Sequence, residues 1–308
     1  MRAARAPRAL IIVVLALSIA ACAPQPQRGP VEVDAPRTAQ QAAQGPPTAL
    51  PNRADSLKFG VLGDFGNGTR EQMETAAEFA RAHERFPFEL VITVGDNIYG
   101  SDRPQDFVKK FEVPYKPLLD AGVKFYASLG NHDSPEQVFY KPFNMEGKKH
   151  YSFKPGKQNV KFVAFDSTYP DPDQVAWLQK ELEGSGEDWK IPYFHHPPYS
   201  SGSRHGSHVD LRATLEPLFV AHNVSVVFTG HDHTYERVKP QKGIVYFVVG
   251  SGGQLRAGGI DRNTGITAVA NASERVFLIC EISGDELFFN AISRTGQVID
   301  SGVITRRK

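Results

Sequence analysis

The residues of this 308-residue chain that could do chemistry are mostly carboxylates and imidazoles, and they sit just after apolar runs. Asp64 lies in Gly63-Asp-Phe-Gly66, Asp96 and Tyr99 in Gly95-Asp-Asn-Ile-Tyr99, and Asn131 and His132 in Gly130-Asn-His-Asp133. His195 opens His195-His-Pro197, and His231 and His233 share Gly230-His-Asp-His233. Oxygen and imidazole donors at this density, with no thiolate among them, suit hard or borderline metals such as iron, manganese or zinc. Each residue alone has a plainer reading: an Asp beside a glycine forms turns, and a single Tyr is more often a core or rim aromatic. His196 competes with His195 for one role.

These side chains need strands to deliver them. The runs Leu57–Leu62, Glu89–Val94, Val123–Leu129, Lys190–Phe194 and Val224–Thr229 are rich in β-branched and aromatic residues, the composition of buried strands. In open α/β sheets ligands gather outside the carboxyl ends of strands, so the five runs would bring their motifs to one rim. Between them, Thr69 can cap a helix whose face is Met73, Ala76, Ala77 and Ala80 and which stops before Pro87. Gln105 to Phe111 reads as helix broken near Pro114 and Pro117, and Ser134 to Gly156 as an irregular passage whose Lys141, Lys148, Lys149 and Lys154 form a solvated basic surface. A strand is expected over Val160–Phe165. Helices are expected over Asp173–Leu182, with Val175, Leu178 and Leu182 at helical spacing, and over Val209–His222, with Leu211, Leu215, Leu218 and Phe219 inward. Strands Val224–Phe228 and Ile244–Val249 precede a glycine-rich loop, Gly250–Ala272. Three more strands, Val276–Ile282, Leu287–Ile292 and Val298–Ile304, close the chain. Alternating strands and helices followed by consecutive strands predict an α/β fold of two face-to-face β-sheets with helices outside, in one domain over residues 56–308.

Composition adds bounds. Hydrophobic residues at 41% and charged residues at 22% are ordinary for a globular protein. The formal charge of +1 gives no sign of a nucleic-acid partner, and removing Arg2, Arg5 and Arg8 takes it to −2. Those arginines open a leader whose apolar run, Leu10 to Ala21, is too short to span a bilayer. The leader ends Ser18-Ile-Ala-Ala-Cys22, similar to a bacterial lipobox, which implies a signal peptide over residues 1–21 and a lipidated Cys22. Residues 22–55, rich in Pro, Gln and Ala, cannot bury enough surface to fold and read as a disordered tether. The expected location is therefore the bacterial cell envelope, lipid-anchored on the extracytoplasmic side, with Ala23 favouring the outer membrane. Cys280, in an apolar strand pattern, reads as a small core residue.

The order Gly-Asp-x-Gly, Gly-Asp-x-x-Tyr, Gly-Asn-His-Asp, His-x-Pro and Gly-His-x-His resembles the calcineurin-like metallophosphoesterases, and within them the purple acid phosphatases of the small, tartrate-resistant type. The likeness runs from Leu57 to Arg237. It implies a four-layer α-β-β-α sandwich and two metal ions. Asp64, Tyr99 and His233 would hold the first ion, Asn131, His195 and His231 the second, and Asp96 would bridge them. Many phosphodiesterase relatives carry a histidine where this chain has Gly66, and Tyr99 would replace that ligand. An anionic, hard phenolate favours Fe³⁺ there, with divalent Fe, Zn or Mn beside it. His132 is expected to reach toward the phosphate, and His205 to protonate the leaving group, with His208 a rival. Asp133, Asp166 and Asp232 are candidates to orient ligands, Asp166 being also a simple turn; Arg237 would pair with an acid, and His83, His150 and His222 lie on the surface. The implied activity is hydrolysis of phosphate monoesters, on small phosphorylated substrates, by a metal-bound hydroxide attacking in line. A phosphodiesterase or nucleotidase on the same site, or a non-catalytic surface lipoprotein, are the alternatives. The oligomeric state is not legible.

Overall fold

The computed structural model describes residues 49–184 and 186–308. The leader, Cys22 and most of the expected tether lie outside the described residues. Its strands are β1 (Leu57–Leu62), β2 (Leu90–Val94), β3 (Lys124–Ser128), β4 (Tyr151–Phe153), β5 (Val160–Ala164), β6 (Trp189–Tyr193), β7 (Val226–Thr229), β8 (Tyr235–Val238), β9 (Val245–Val249), β10 (Thr267–Asn271), β11 (Val276–Ser283), β12 (Glu286–Ser293) and β13 (Val298–Thr305). The helices are α1 (Arg70–Arg85), α2 (Pro104–Phe107), α3 (Lys116–Asp120), α4 (Pro172–Glu183) and α5 (Val209–Ala221). One six-stranded sheet runs β13-β12-β11-β1-β2-β3 and one seven-stranded sheet runs β10-β8-β9-β7-β6-β5-β4. In the first, β1, β2 and β3 are parallel; in the second, β5, β6, β7 and β9 are. These parallel strands point their carboxyl ends at the rim where the motifs lie.

The expected sandwich follows from side-chain alternation, since neighbouring residues of a strand face opposite ways. On β5, Val160, Phe162 and Ala164 join the core between the sheets, whereas Val163 joins an outer core with Leu178 and Leu182 of α4 and Leu211, Leu215 and Phe219 of α5. Phe59 of β1 meets Phe162 and Phe228 across the interface at 5.1 and 6.0 Å. The next residue, Gly60, faces the other way and receives Phe79 of α1: a β-carbon there would lie 2.3 Å from its Cζ. The layers are therefore helix, sheet, sheet, helix.

Several sequence expectations are corrected. The buried face of α1 is Ala76, Phe79 and Ala82, while Met73 is 40% exposed. The bulky Phe79 fits the Gly60 socket, and this sets the rotation of the helix. Pro117 does not break the helical passage but starts α3, in the first turn, where its missing N–H costs nothing. The irregular passage after Ser134 contains β4, and Lys154 is not merely solvated but pairs with the buried Glu187 at 2.6 Å. The long glycine-rich loop ends in β10, which pairs with the unexpected strand β8. Of the expected tether, Leu50 packs on the core, and the N–H groups of Asn52 and Arg53 donate to Glu281 at 2.6 and 2.7 Å. Among the described residues no helix is long and apolar enough to cross a membrane.

Candidate metal centre

Asp64 follows β1, Asp96 follows β2, Asn131 follows β3, His195 follows β6, and His231 and His233 follow β7. The turns that aim them inward are tight. Asp64, Asp96 and His231 have φ of 53°, 50° and 72°, a left-handed conformation that costs a non-glycine residue about 1–3 kcal/mol and persists where the surroundings demand it. The demand is visible: Asp64 N–H donates to Gly95 O at 3.0 Å, His231 N–H to Asp64 Oδ2 at 3.0 Å, and His132 N–H to Asp96 Oδ1 at 2.9 Å. Gly130 and Gly230 are needed for close approach. A β-carbon at Gly130 would lie 2.3 Å from Asp96 Oδ1, and one at Gly230 2.4 Å from Asp64 Oδ2.

The expected ligands converge in two groups about Asp96. In the first, the Tyr99 hydroxyl lies 2.9 Å from Asp96 Oδ2, 3.2 Å from Asp64 Oδ1 and 3.2 Å from His233 Nε2. In the second, His195 Nε2 lies 3.1 Å from Asn131 Oδ1, 3.1 Å from His231 Nδ1 and 3.4 Å from Asp96 Oδ1. Asp96 thus offers one oxygen to each side. His195 Nδ1 is 2.9 Å from the Val94 carbonyl, which can only accept. In the neutral form of the ring, the one that binds metals, the hydrogen is therefore on Nδ1 and Nε2 turns a lone pair toward the lone pairs of Asn131 Oδ1. That contact is repulsive unless a cation lies between, so the donor set fits a metal ion.

Electrostatics agree. Burial, then the neighbouring Asp96, push the Asp64 carboxyl well above its usual range, and a cation would relieve both. Burial first, and nearby imidazoles with it, bring His231 down to about 2 and His196 down to about 3. Burial brings His233 down to about 4, against the opposing pull of Asp96. Near neutral pH these rings are uncharged, the form that binds metals. Burial, Asp64 and Asp96 push the Tyr99 phenol up.

The remaining expected residues fall in varied places. The His132 ring packs on Tyr99 with centroids 4.9 Å apart, and the exposed His205 ring lies 4.1 Å from that of His231. His196 sits 4.4 Å from the His231 ring and bonds Ser167 Oγ through Nδ1 at 3.0 Å; it is a close neighbour in the same imidazole cluster. His208 accepts from Leu211 N–H at 3.2 Å, capping α5, and His222 closes that helix. Asp166 makes a local turn onto Thr168 N–H. Asp133 joins two motif loops, accepting from the N–H groups of Asn97, Ile98 and Gly130 at 2.9–3.0 Å. Asp232 accepts from Ser200 Oγ at 2.6 Å and Gly206 N–H at 3.2 Å, holding the loop that carries His205. Arg237 pairs with Asp300 at 2.7 Å. His150 packs against Trp177, the rings tilted by 48°, beside a cavity of about 710 Å³ lined by none of the candidate ligands. Sequence reasoning missed Ser167, whose hydroxyl accepts from the N–H groups of His195 and His196 at 3.2 and 2.9 Å, and Arg256, whose N–H donates to His233 O at 2.9 Å.

Paired sheets that deliver carboxylates, an amide and imidazoles around one shared aspartate define a metallophosphoesterase. The chain belongs to the calcineurin-like phosphoesterase family, which matches residues 57–235, and such proteins are metal-dependent phosphoric ester hydrolases that use two metal ions. Its relatives are acid phosphatases. The tartrate-resistant acid phosphatase type 5 of Rattus norvegicus is 25% identical over 300 residues, covering 78% of this chain and 91% of that one. The purple acid phosphatase 5 of Arabidopsis thaliana is 28% identical over 251 residues, covering 73% and 59%. Among solved structures, the purple acid phosphatase PPD1 of yellow lupin superposes with a TM-score of 0.70 at 20% identity, covering 84% of this chain and 55% of that one. GAP50 of Plasmodium, described as an anchor in the inner membrane complex, gives 0.71 at 20% identity, covering 82% and 90%. At these identities the structural likeness speaks for the fold alone, so the case for catalysis rests on the site and on the relatives in sequence.

Proposed function

We propose that the chain hydrolyses phosphate monoesters at a centre of two metal ions, with Asp64, Tyr99 and His233 holding one, Asn131, His195 and His231 the other, and Asp96 shared. The observation that carries this is the His195 Nε2 lone pair aimed at Asn131 Oδ1, a pairing that makes sense around a cation. When bound, the ions supply a Lewis-acid clamp on the phosphoryl oxygens and acidify the attacking water. Tyr99, as a phenolate, suits Fe³⁺ in the first position, with divalent Fe, Zn or Mn in the second. His132 flanks the centre from the Tyr99 side and donates to a phosphoryl oxygen. His205, whose ring lies 4.1 Å from that of His231, gives a proton to the departing alkoxide oxygen, an effect usually worth about 10²–10⁴ in rate.

Metal analysis of purified protein, taken with its visible spectrum, tests the reading. Two ions per chain, with a phenolate-to-iron band that Tyr99→Phe removes, are expected; a colourless, iron-free and fully active protein would reject Fe³⁺. A panel of monoesters, diesters and nucleotides separates a phosphomonoesterase from a phosphodiesterase, and metal binding without turnover would leave a binding protein. The sequence before Cys22 supports attachment to the cell envelope through a lipid on that residue, and Cys22→Ser is expected to move the protein from the membrane fraction to the soluble one.

A further inference from the structure

Tyr99 is held by different means on its two sides. Before it the loop is fixed through backbone groups: Asn97 and Ile98 N–H donate to Asp133, and Tyr99 N–H donates to Gly66 O at 2.9 Å. After it the chain turns at Gly100, with φ of 87°, and runs through residues 101–103 without helix or strand. The tether on that side is a side chain. Lys110 Nζ donates to Tyr99 O at 2.7 Å and pairs with Asp106 Oδ1 at 3.0 Å, and its side chain is 12% exposed. The other Asp106 oxygen accepts from Ser101 Oγ at 2.6 Å and Arg103 Nε at 3.0 Å. One carboxylate thus seats the ammonium group and closes the turn that follows Gly100.

The helix carrying Lys110 departs from regular geometry where this reach is made. After α2 the turn widens over Val108–Glu112, and Val113 N–H bonds Val108 O at 2.9 Å, the i to i+5 pattern of a π turn. Such turns are frequent at functional sites. Lys109 is exposed, with no ion pair or hydrogen bond of its side chain among the described residues, whereas Lys110 is turned onto the Tyr99 loop. The Lys110 backbone is fixed as well. Its carbonyl accepts from Nε2 of the buried Gln72 at 2.5 Å, and Gln72 Oε1 accepts from Gly68 N–H at 2.7 Å. Lys110 therefore ties the segment after Tyr99 to the loop that begins at Asp64.

We propose that Lys110 is a positioning residue for Tyr99: its ammonium group, seated by Asp106, grips the Tyr99 carbonyl and so fixes where the phenol oxygen stands among Asp64, Asp96 and His233. The inference rests on the two-metal reading above, in which Tyr99 is a ligand. A charged donor suits the task, because charge-assisted hydrogen bonds are shorter and stronger than neutral ones. The phenol oxygen lies at the far end of a long, rigid side chain, so a small rotation of the backbone at Tyr99 is magnified there. A misplacement of about 1 Å at a reacting centre can cost about 100-fold in rate. Lys110 touches neither substrate nor metal and acts through Tyr99 alone.

The test uses the full-length, metal-loaded protein and its Lys110→Met, Lys110→Arg, Asp106→Asn and Lys109→Met variants. Four quantities are read: the phenolate-to-iron band, the rate of iron loss to a chelator, kcat and KM on phenyl phosphate per bound iron, and the urea midpoint. Lys110→Met is expected to displace the band, speed iron loss and lower kcat by about 10–100-fold with KM little changed. Lys110→Arg should restore most of the band, Asp106→Asn should show a smaller displacement in the same direction, and Lys109→Met should match the wild type. A lowered urea midpoint with band and kcat unchanged would mean that Lys110 serves stability alone, and it overturns the proposal. Should Lys110→Met not fold, Asp106→Asn decides in its place, a displaced band supporting the role and an unmoved one overturning it. Wild-type protein that takes up iron without a phenolate band removes Tyr99 from the ligands and this role with it. A wild-type band that the Lys110 variants leave untouched removes the role of Lys110 alone.

Discussion

The α-carbon of Gly66 lies so close beneath the Asn97 carbonyl that a β-carbon at that position would stand 1.9 Å from its oxygen. The resemblance implies a metal-binding histidine at this position in phosphodiesterases, but here the space belongs to the loop that brings Tyr99 in, and Tyr99 N–H donates to Gly66 O at 2.9 Å. Tyr99 and a histidine at position 66 therefore exclude each other. Gly66→His is expected to add no ligand. It should push the Asn97–Tyr99 loop outward, destabilise the fold by at least the ~1–3 kcal/mol typical of overpacking, and abolish any phenolate-to-iron band. Urea denaturation and the visible spectrum read the two effects, and a stable Gly66→His protein with its colour intact would refute the exclusion.

Asp96 and Asp64 are both buried, and Tyr99 contacts both carboxylates. Without a cation their charges repel, a cost that serves metal binding rather than folding. Asp96→Asn keeps the shape and an acceptor for His132 N–H but removes one charge. It is expected to stabilise the metal-free protein by about 1 kcal/mol while removing turnover and most of the bound metal. Thermal melts of stripped protein and metal analysis check the two halves separately. A variant that is less stable when stripped, or one still active, contradicts the shared role given to Asp96.

What was legible in the sequence was what is local. Each motif joins a strand pattern to a chemically distinctive end, so the rim could be read from Asp64 to His233, and the two-sheet fold from the alternation of apolar residues. What escaped depends on meetings between distant segments. Met73 and Phe79 are both apolar at helical spacing, and only the Gly60 socket on another element decides between them. The strands β8 and β10 are short, and β8 hides its buried Glu236 on Ser201 N–H and Thr267 Oγ1 at 2.7 and 2.6 Å, a polar pattern that does not look like a strand. Ser167 carries no local signal at all. Arg256 had one: the glycines from Gly250 to Gly253 mark a close backbone approach, since β-carbons at Gly252 and Gly253 would lie 2.7 Å from Gly63 O and 2.0 Å from Phe65 O.

Metal loading should depend on pH in a definite direction. Burial and Asp96 raise the Asp64 carboxyl, and burial with both aspartates raises the Tyr99 phenol; each must give up its proton to bind an ion. Protons do not compete at His231 and His233 above about pH 5, because burial brings them down to about 2 and about 4. Loading therefore releases protons, and affinity strengthens as pH rises and weakens as it falls. Reconstitution of stripped protein in weak buffer should acidify the solution, and Tyr99→Phe should reduce the protons released per iron bound. An affinity flat with pH would mean that neither Asp64 nor Tyr99 enters the coordination sphere.

The sheets are also joined away from the rim. Asp300 of β13, in the first sheet, accepts from the Tyr235 hydroxyl at 2.8 Å and from Arg237 Nε and Nη2 at 2.7 and 3.1 Å, both residues lying on β8 in the second. Tyr235 is fully buried, while Arg237 keeps 25% of its side chain exposed. Asp300→Ala would strand a buried hydroxyl and a largely desolvated guanidinium together. Breaking buried pairs costs about 3–5 kcal/mol, and the partial exposure of Arg237 argues for the lower end. Replacing the group as a whole, by Asp300→Leu with Arg237→Met and Tyr235→Phe, should recover most of the loss, because no polar atom is then left unpaired. Urea midpoints at constant m-value measure both. If the single substitution cost under about 1 kcal/mol, the range of an exposed pair, this junction would not be what ties β8 to β13.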